Sequence, residues 1–136
     1  MDAITSNQSA NLIYVLDDEN DILTMIEDII ILSGIGKAFC FNNSVSFYKA
    51  IDKQLPDIIL LDINMPGANG IDICINLKSQ PKTKNIPVIF NSCNSDSETI
   101  AECFKAGAAD YISKSYISAK MPEKVSAHLK LKRKNI

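Results

Sequence analysis

Residues 57–70 read DIILLDINMPGANG, and the reading of this stretch decides the fold. Ile58–Leu61 is apolar at every position, with none of the alternation of a strand that keeps one face in water. A run this short, bounded by Pro56 on one side and by Met65-Pro66-Gly67-Ala68-Asn69-Gly70 on the other, reads as a central strand leading into a loop. Strands covered on both faces belong to parallel sheets flanked by helices. The run stops at Asp62.

Three other runs end in the same way. LIYVL (12–16) leads into Asp17-Asp18, PVIF (87–90) into Asn91-Ser92, and DYIS (110–113) into Lys114. An open α/β sheet binds its ligands beyond the carboxyl ends of its strands. Carboxylates, a hydroxyl and an ammonium delivered to that one edge share a site.

The intervening segments read as helices. A helix is expected over about 20–33, with Ile22, Met25, Ile26, Ile29 and Ile30 on one face and Gly34 as its stop. Lys37–Phe41 is a second strand, and Ser44 is placed to cap a helix that buries Val45, Tyr48 and Ile51. After the 65–70 loop, a helix turns Ile71, Cys74, Ile75 and the Lys78 stem inward. Ser95 and Glu98 have capping-box spacing, opening a helix that buries Ile100, Cys103 and Phe104 and ends at Gly107. The last helix starts near Met121-Pro122 and buries Val125 and Leu129.

Five strands alternating with five helices imply right-handed βαβ units. The predicted class is α/β: a flavodoxin-like (βα)5 three-layer sandwich around a parallel five-stranded sheet of order 2-1-3-4-5. Its switch point lies between the first and third strands, which carry Asp17-Asp18 and Asp62.

Composition bounds the function. The 136 residues, 46% apolar, suit one domain with a substantial core. No apolar run approaches the roughly 18 residues of a membrane span, and MDAITSNQSA is not a secretory signal. Residues 1–10 are expected to be a disordered lead-in. Cys40, Cys74, Cys93 and Cys103 are scattered without metal-ligand spacing, pointing to reduced thiols and a cytoplasmic location. Net charge is −2, yet Lys120, Lys124, Lys130, Lys132, Arg133 and Lys134 face only Glu123 near the end of the chain. A basic last helical turn, running into a tail at 134–136, suits the helix dipole. Without interleaved aromatics it does not argue for nucleic acid, so neither nucleic acid nor membrane is an expected partner. His128, the sole histidine, reads as structural or exposed.

Carboxylates packed together repel and need a cation to stay ionised. Asp18 and Asp62, with the Asn64 carbonyl and with Asp17 acting through water, are suited to hold Mg2+. Lys114 adds a positive charge and Ser92 a hydrogen-bond donor for the oxygens of a phosphoryl group arriving at Asp62. Asp62 is then the carboxylate nucleophile that forms an aspartyl phosphate.

Read in order, YVLDDEND, LLDINMPGANG, IPVIFNSC and AGAADYISKS resemble the receiver domain of two-component response regulators over residues 11–133. These segments resemble, in turn, that family's acidic loop, phosphoacceptor strand, hydroxyl-bearing strand, and switch aromatic with lysine. The resemblance implies phosphoryl transfer to Asp62 from the phosphohistidine of a sensor histidine kinase or histidine phosphotransfer protein, with Mg2+ and slow self-hydrolysis. It makes Ser92 and Tyr111 the switch residues, acting on the face of the fourth helix, fifth strand and fifth helix. A second copy of the chain is one candidate partner for that face. No output domain is expected, and the chain is a signalling receiver rather than a classical enzyme.

Four positions depart from the family pattern, of which Ala68 and Asn69 only vary the loop after Asp62. Ser115 replaces the proline that commonly follows the lysine through a cis bond, and a non-proline cis peptide costs about 3–4 kcal/mol. The Lys114–Ser115 bond is therefore trans unless local contacts hold a strained one. Cys93 stands where Ala or Gly is frequent. The other readings are weaker. A haloacid dehalogenase-type hydrolase needs a second Asp where Asn64 stands, and a flavin carrier would not place Asp17-Asp18-Glu19 against a phosphate. A degenerate receiver, binding partners without phosphorylation, is the alternative within the family.

Overall fold

The computed structural model describes residues 10–134. The main elements are β1 (Leu12–Leu16), α1 (Asn20–Ser33), β2 (Lys37–Phe41), α2 (Ser44–Lys53), β3 (Ile58–Asp62), α3 (Gly70–Lys78), β4 (Val88–Ser92), α4 (Ser97–Lys105), β5 (Asp110–Ser113) and α5 (Ile117–Lys134). The sheet order is β2-β1-β3-β4-β5, parallel throughout, as the alternation predicts. β3 is central and every one of its residues is buried.

Period-two alternation divides the core into two layers. Tyr14, Leu16, Ile59, Leu61, Val88 and Phe90 point to one face, where they meet Phe47 and Ile51 of α2, Ile73, Cys74 and Leu77 of α3, and Cys103 of α4. Ile13, Val15, Ile58, Leu60, Ile89 and Ile112 point to the other, against Leu23, Ile26 and Ile30 of α1 and Met121, Val125 and Leu129 of α5. Gly34, at φ 68°, ends α1 as expected.

Several local expectations are corrected. Asn43, not Ser44, caps α2, its side chain accepting from the Ser46 N–H; the expected Ile51 is buried, together with Phe47, while Val45 is 63% exposed. Asp96, not Ser95, caps α4 by accepting from the Thr99 N–H, so the capping box does not form and Phe104 turns outward. On α3 the inward set is Ile73, Cys74 and Leu77, while Ile75 is exposed. The Lys78 stem does turn inward, far enough for Nζ to donate to the Ile86 carbonyl at 2.6 Å.

β3 and β4 extend to Asp62 and Ser92, and β4 starts at Val88 rather than Pro87. Within the 65–70 loop, Asn64–Met65 pairs antiparallel with Ala68–Asn69 in a small hairpin. α5 begins at Ile117, behind a 3-10 turn at Lys114–Tyr116, and contains Pro122 instead of starting at it. Ile117, Met121, Val125 and Leu129 recur every four residues and are all buried, so that stripe sets the helix despite the one hydrogen bond the proline removes.

His128 has a definite partner. Its Nε2 lies 3.0 Å from Asp110 Oδ2, while Lys124 Nζ donates to Asp110 Oδ1 at 2.9 Å, tying α5 to the start of β5. All four cysteines are free thiols. No described helix is long and apolar enough to cross a membrane. The expected lead-in and basic tail fall largely on residues 1–9 and 135–136, outside the described residues.

Candidate functional site

The parity that sorts the core also aims the functional side chains. Asp17 continues the Ile13, Val15 series at the end of β1, and Asp62 continues Ile58, Leu60 on β3. Both carboxylates therefore emerge on the α1/α5 face of adjacent strands. Asp17 is fully buried, fixed by its N–H donating to the Phe41 carbonyl at 3.1 Å and by its Oδ1 accepting from the Glu19 N–H at 2.9 Å. Asp62 is 3% exposed and Asp18 is half-buried. One oxygen from each of Asp17, Asp18 and Asp62 lies within 4.8 Å of the others.

Lys114 completes the cluster from the end of the edge strand, β5. Its Nζ lies 2.7 Å from Glu19 Oε1, 3.0 Å from Asp17 Oδ2 and 3.4 Å from Asp62 Oδ1. The Lys114–Ser115 bond is trans, and the lysine reaches the carboxylates without a cis turn.

The electrostatics follow from burial. Desolvation, then the neighbouring Asp17 charge, push the Asp62 carboxyl up to about 7 against the pull of Lys114. Desolvation likewise raises Asp17, partly offset by the Glu19 N–H and by Lys114. Burial alone would lower the Lys114 ammonium, but its hydrogen bonds to Glu19 and Asp17 outweigh that and raise it.

One ammonium among the carboxylates of Asp17, Asp18, Glu19 and Asp62 leaves excess negative charge in a largely buried place. Asp17 Oδ2, moreover, is buried and faces only the shared Lys114 ammonium, 3.0 Å away, among the described residues. Clustered hard oxygen donors with a charge deficit fit a divalent cation such as Mg2+.

Ser92 belongs to the other parity, with Val88 and Phe90, and is fully buried. Its Oγ accepts from the Asn94 N–H at 3.1 Å. The Tyr111 hydroxyl donates to the Asn94 carbonyl, so Asn94 links the two predicted switch residues. Burial raises the Tyr111 phenol, with a hydrogen bond to Ser92 pulling the other way. Asn64 sits exposed on the hairpin that follows Asp62.

The structure thus brings Asp17, Asp18, Asp62 and Lys114 into one cluster, and couples Ser92 to Tyr111 at its edge. Sequence reasoning passed over two neighbours. Glu19 was visible only as the third acid of DDE, and its role as a Lys114 partner depends on how α1 starts. Asn91 was visible as an amide inside an apolar strand, and it is wholly buried in register with Asp62.

Comparison with known proteins places this geometry. The model of the response regulator receiver domain family matches residues 13–126. The response regulator protein TodT of Pseudomonas putida is 30% identical over 122 residues, covering 90% of this chain and 52% of TodT. The chain spans about half the length of the curated relatives it matches. Among solved structures, the receiver domain of a signal transduction histidine kinase from Syntrophus aciditrophicus is 26% identical with a TM-score of 0.80, over 89% of this chain and 91% of that one. The receiver domain of the sensor histidine kinase PA1611 from Pseudomonas aeruginosa, a structure with a magnesium ion in its active-site cleft, has a TM-score of 0.79 at 20% identity, over 89% of this chain and 98% of that one.

Proposed function

The chain belongs to the response regulator receiver domain family, and from that premise we propose that it is a phosphorylation-dependent switch of a two-component system, with residues 11–133 as the receiver and Asp62 as the phosphoacceptor. The observation that carries this reading is the convergence of the Asp17, Asp18 and Asp62 oxygens within 4.8 Å, with Lys114 Nζ 3.0 and 3.4 Å from Asp17 and Asp62.

An Asp62 oxygen attacks the phosphorus of a phosphohistidine on a sensor kinase or phosphotransfer protein. A P–O bond forms as the P–N bond breaks, and the imidazole leaves. Asp18, Asp62 and the Asn64 carbonyl would hold Mg2+, with Asp17 acting through water. When bound, that ion neutralises phosphoryl oxygens and lets the crowded carboxylates ionise. Lys114, already between Asp17 and Asp62, donates to another phosphoryl oxygen. The Ser92 hydroxyl donates to a third. Water entering the same site reverses the modification slowly, which makes the protein a timer rather than a turnover enzyme.

The switch follows from two hydrogen bonds. Drawing the Ser92 hydroxyl toward the phosphoryl removes the acceptor of the Asn94 N–H, and the Asn94 carbonyl is the acceptor of Tyr111. Tyr111 then repacks inward, changing the α4–β5–α5 face that partners read. This is a local charge event biasing a bistable surface. A cytoplasmic location goes with this reading.

Incubation with acetyl phosphate and Mg2+ followed by intact mass measurement tests the reading. A single phosphate adduct is expected on the wild type and none on Asp62→Asn. No adduct with any small-molecule or phosphohistidine donor would favour a module that binds partners without phosphorylation.

A further inference from the structure

Asn91 is out of place for its surroundings. It lies on β4 two residues beyond Ile89, on the α1/α5 face, paired in register with Asp62 of β3 on one side and Ile112 of β5 on the other. It is fully buried, and neither its Nδ2 nor its Oδ1 has a hydrogen-bond partner among the described residues. An unpaired amide in a core is costly, and an apolar residue of similar size would avoid the cost.

The topology indicates what the amide is for. Lys114 leaves β5, yet its ammonium stands among Asp17, Glu19 and Asp62, carried by β1, the turn after it, and β3. β4 lies between β5 and β3 in the sheet. The lysine side chain must therefore cross the end of β4, and it does so toward the face that Asn91 occupies. In the unloaded site the carboxylates hold the ammonium. Once a divalent cation takes Asp17 and Asp62 and a phosphoryl group occupies Asp62, the ammonium keeps Glu19 but loses the other two carboxylates as acceptors and is repelled by the cation. The phosphoryl cannot occupy all three of its N–H donors. On the strand that the lysine crosses, Asn91 Oδ1 is a buried acceptor without a partner among the described residues.

We propose that Asn91 is a positioning residue of the loaded site, its Oδ1 accepting a hydrogen bond from the Lys114 ammonium when metal and phosphoryl occupy the carboxylates. The inference rests on the phosphoacceptor reading above. It explains why a strand otherwise apolar from Val88 to Phe90 carries an amide at this position.

A double-mutant cycle tests it: wild type, Asn91→Leu, Lys114→Met and the double variant, each titrated calorimetrically with beryllofluoride in the presence of Mg2+. Asn91→Leu is expected to weaken binding about tenfold while melting at the same temperature as wild type or higher. In the Lys114→Met background, Asn91→Leu is expected to cause no further loss. Unchanged affinity in Asn91→Leu, or an equal loss in both backgrounds, overturns the assignment. Should Asn91→Leu fail to fold, Asn91→Ala carries the same cycle with the same criteria. A wild type that binds no beryllofluoride removes the phosphoacceptor reading itself, a result distinct from a wild type that binds and an Asn91→Leu that binds equally.

Discussion

At Asp62 the fold holds a carboxylate where burial and the Asp17 charge both disfavour ionisation, moving its titration from the ordinary 3.8 to about 7. The unfolded chain releases that proton near 3.8, and the folded chain only near 7. Between those values the folded state binds the proton more tightly, so metal-free stability falls as pH rises through the window. Asp62→Asn cannot ionise. In EDTA it is expected to be more stable than wild type at pH 8 by up to about 4 kcal/mol, with the gap closing by pH 4. Thermal melts across that range check this, and a gap independent of pH would contradict it. Next to Ser92 in the chain, Cys93 is an exposed thiol. Cys93→Ala is expected to speed phosphorylation by acetyl phosphate, or hydrolysis of the adduct, severalfold. Unchanged rates for both would show that the thiol does not limit access.

The elements that aim these residues depend on close backbone contact. α3 starts at Gly70, where the N–H donates to the Ile63 carbonyl at 2.7 Å and an added Cβ would stand 2.0 Å from the Asp62 carbonyl oxygen. Only glycine lets the helix begin this near the phosphoacceptor strand. Gly70→Ala must displace the end of β3, at a cost of about 2 kcal/mol or more. It is expected to lower both the urea midpoint and the rate of adduct formation. A variant destabilised but phosphorylated at the wild-type rate would separate the helix start from the aim of Asp62. At this scale the sequence was only partly legible. Strand runs and the Gly34 stop were readable because they are local patterns. The caps were displaced by one residue because Asn43 competes with Ser44, and Asp96 with Ser95, for the same first-turn N–H groups. Separately, packing against the sheet leaves Val45 and Phe104 exposed and buries Phe47.

For the whole molecule, the exposed Phe104 has a consequence. Its neighbours Glu102, Lys105 and Ala106 line a groove shared with α3, while Phe104 turns the other way, 46% exposed. An apolar ring on that side of α4 suits the face that phosphorylation is proposed to change. A second copy of the chain is the proposed partner for it. Sizing by light scattering is expected to give a monomer without phosphate mimic and a dimer with beryllofluoride and Mg2+. A monomer in both states would leave the face to a different partner.

Read by itself, the sequence determined the α/β class, the parallel order of the sheet and the convergence of Asp17, Asp18, Asp62, Ser92 and Lys114 at one edge. Those properties depend on apolar runs of fixed period and on chain direction, and both are written locally. Tertiary structure alone decided which face each residue serves: Asp62 and Lys114 on the α1/α5 side, Ser92 and Tyr111 on the other. It also decided that Glu19 shares the lysine and that Asn91 lies buried beside Asp62 without a partner among the described residues. Such facts depend on strand register and on which side chain reaches across which strand. Those are set by the packing of elements far apart in the chain, which no local pattern records.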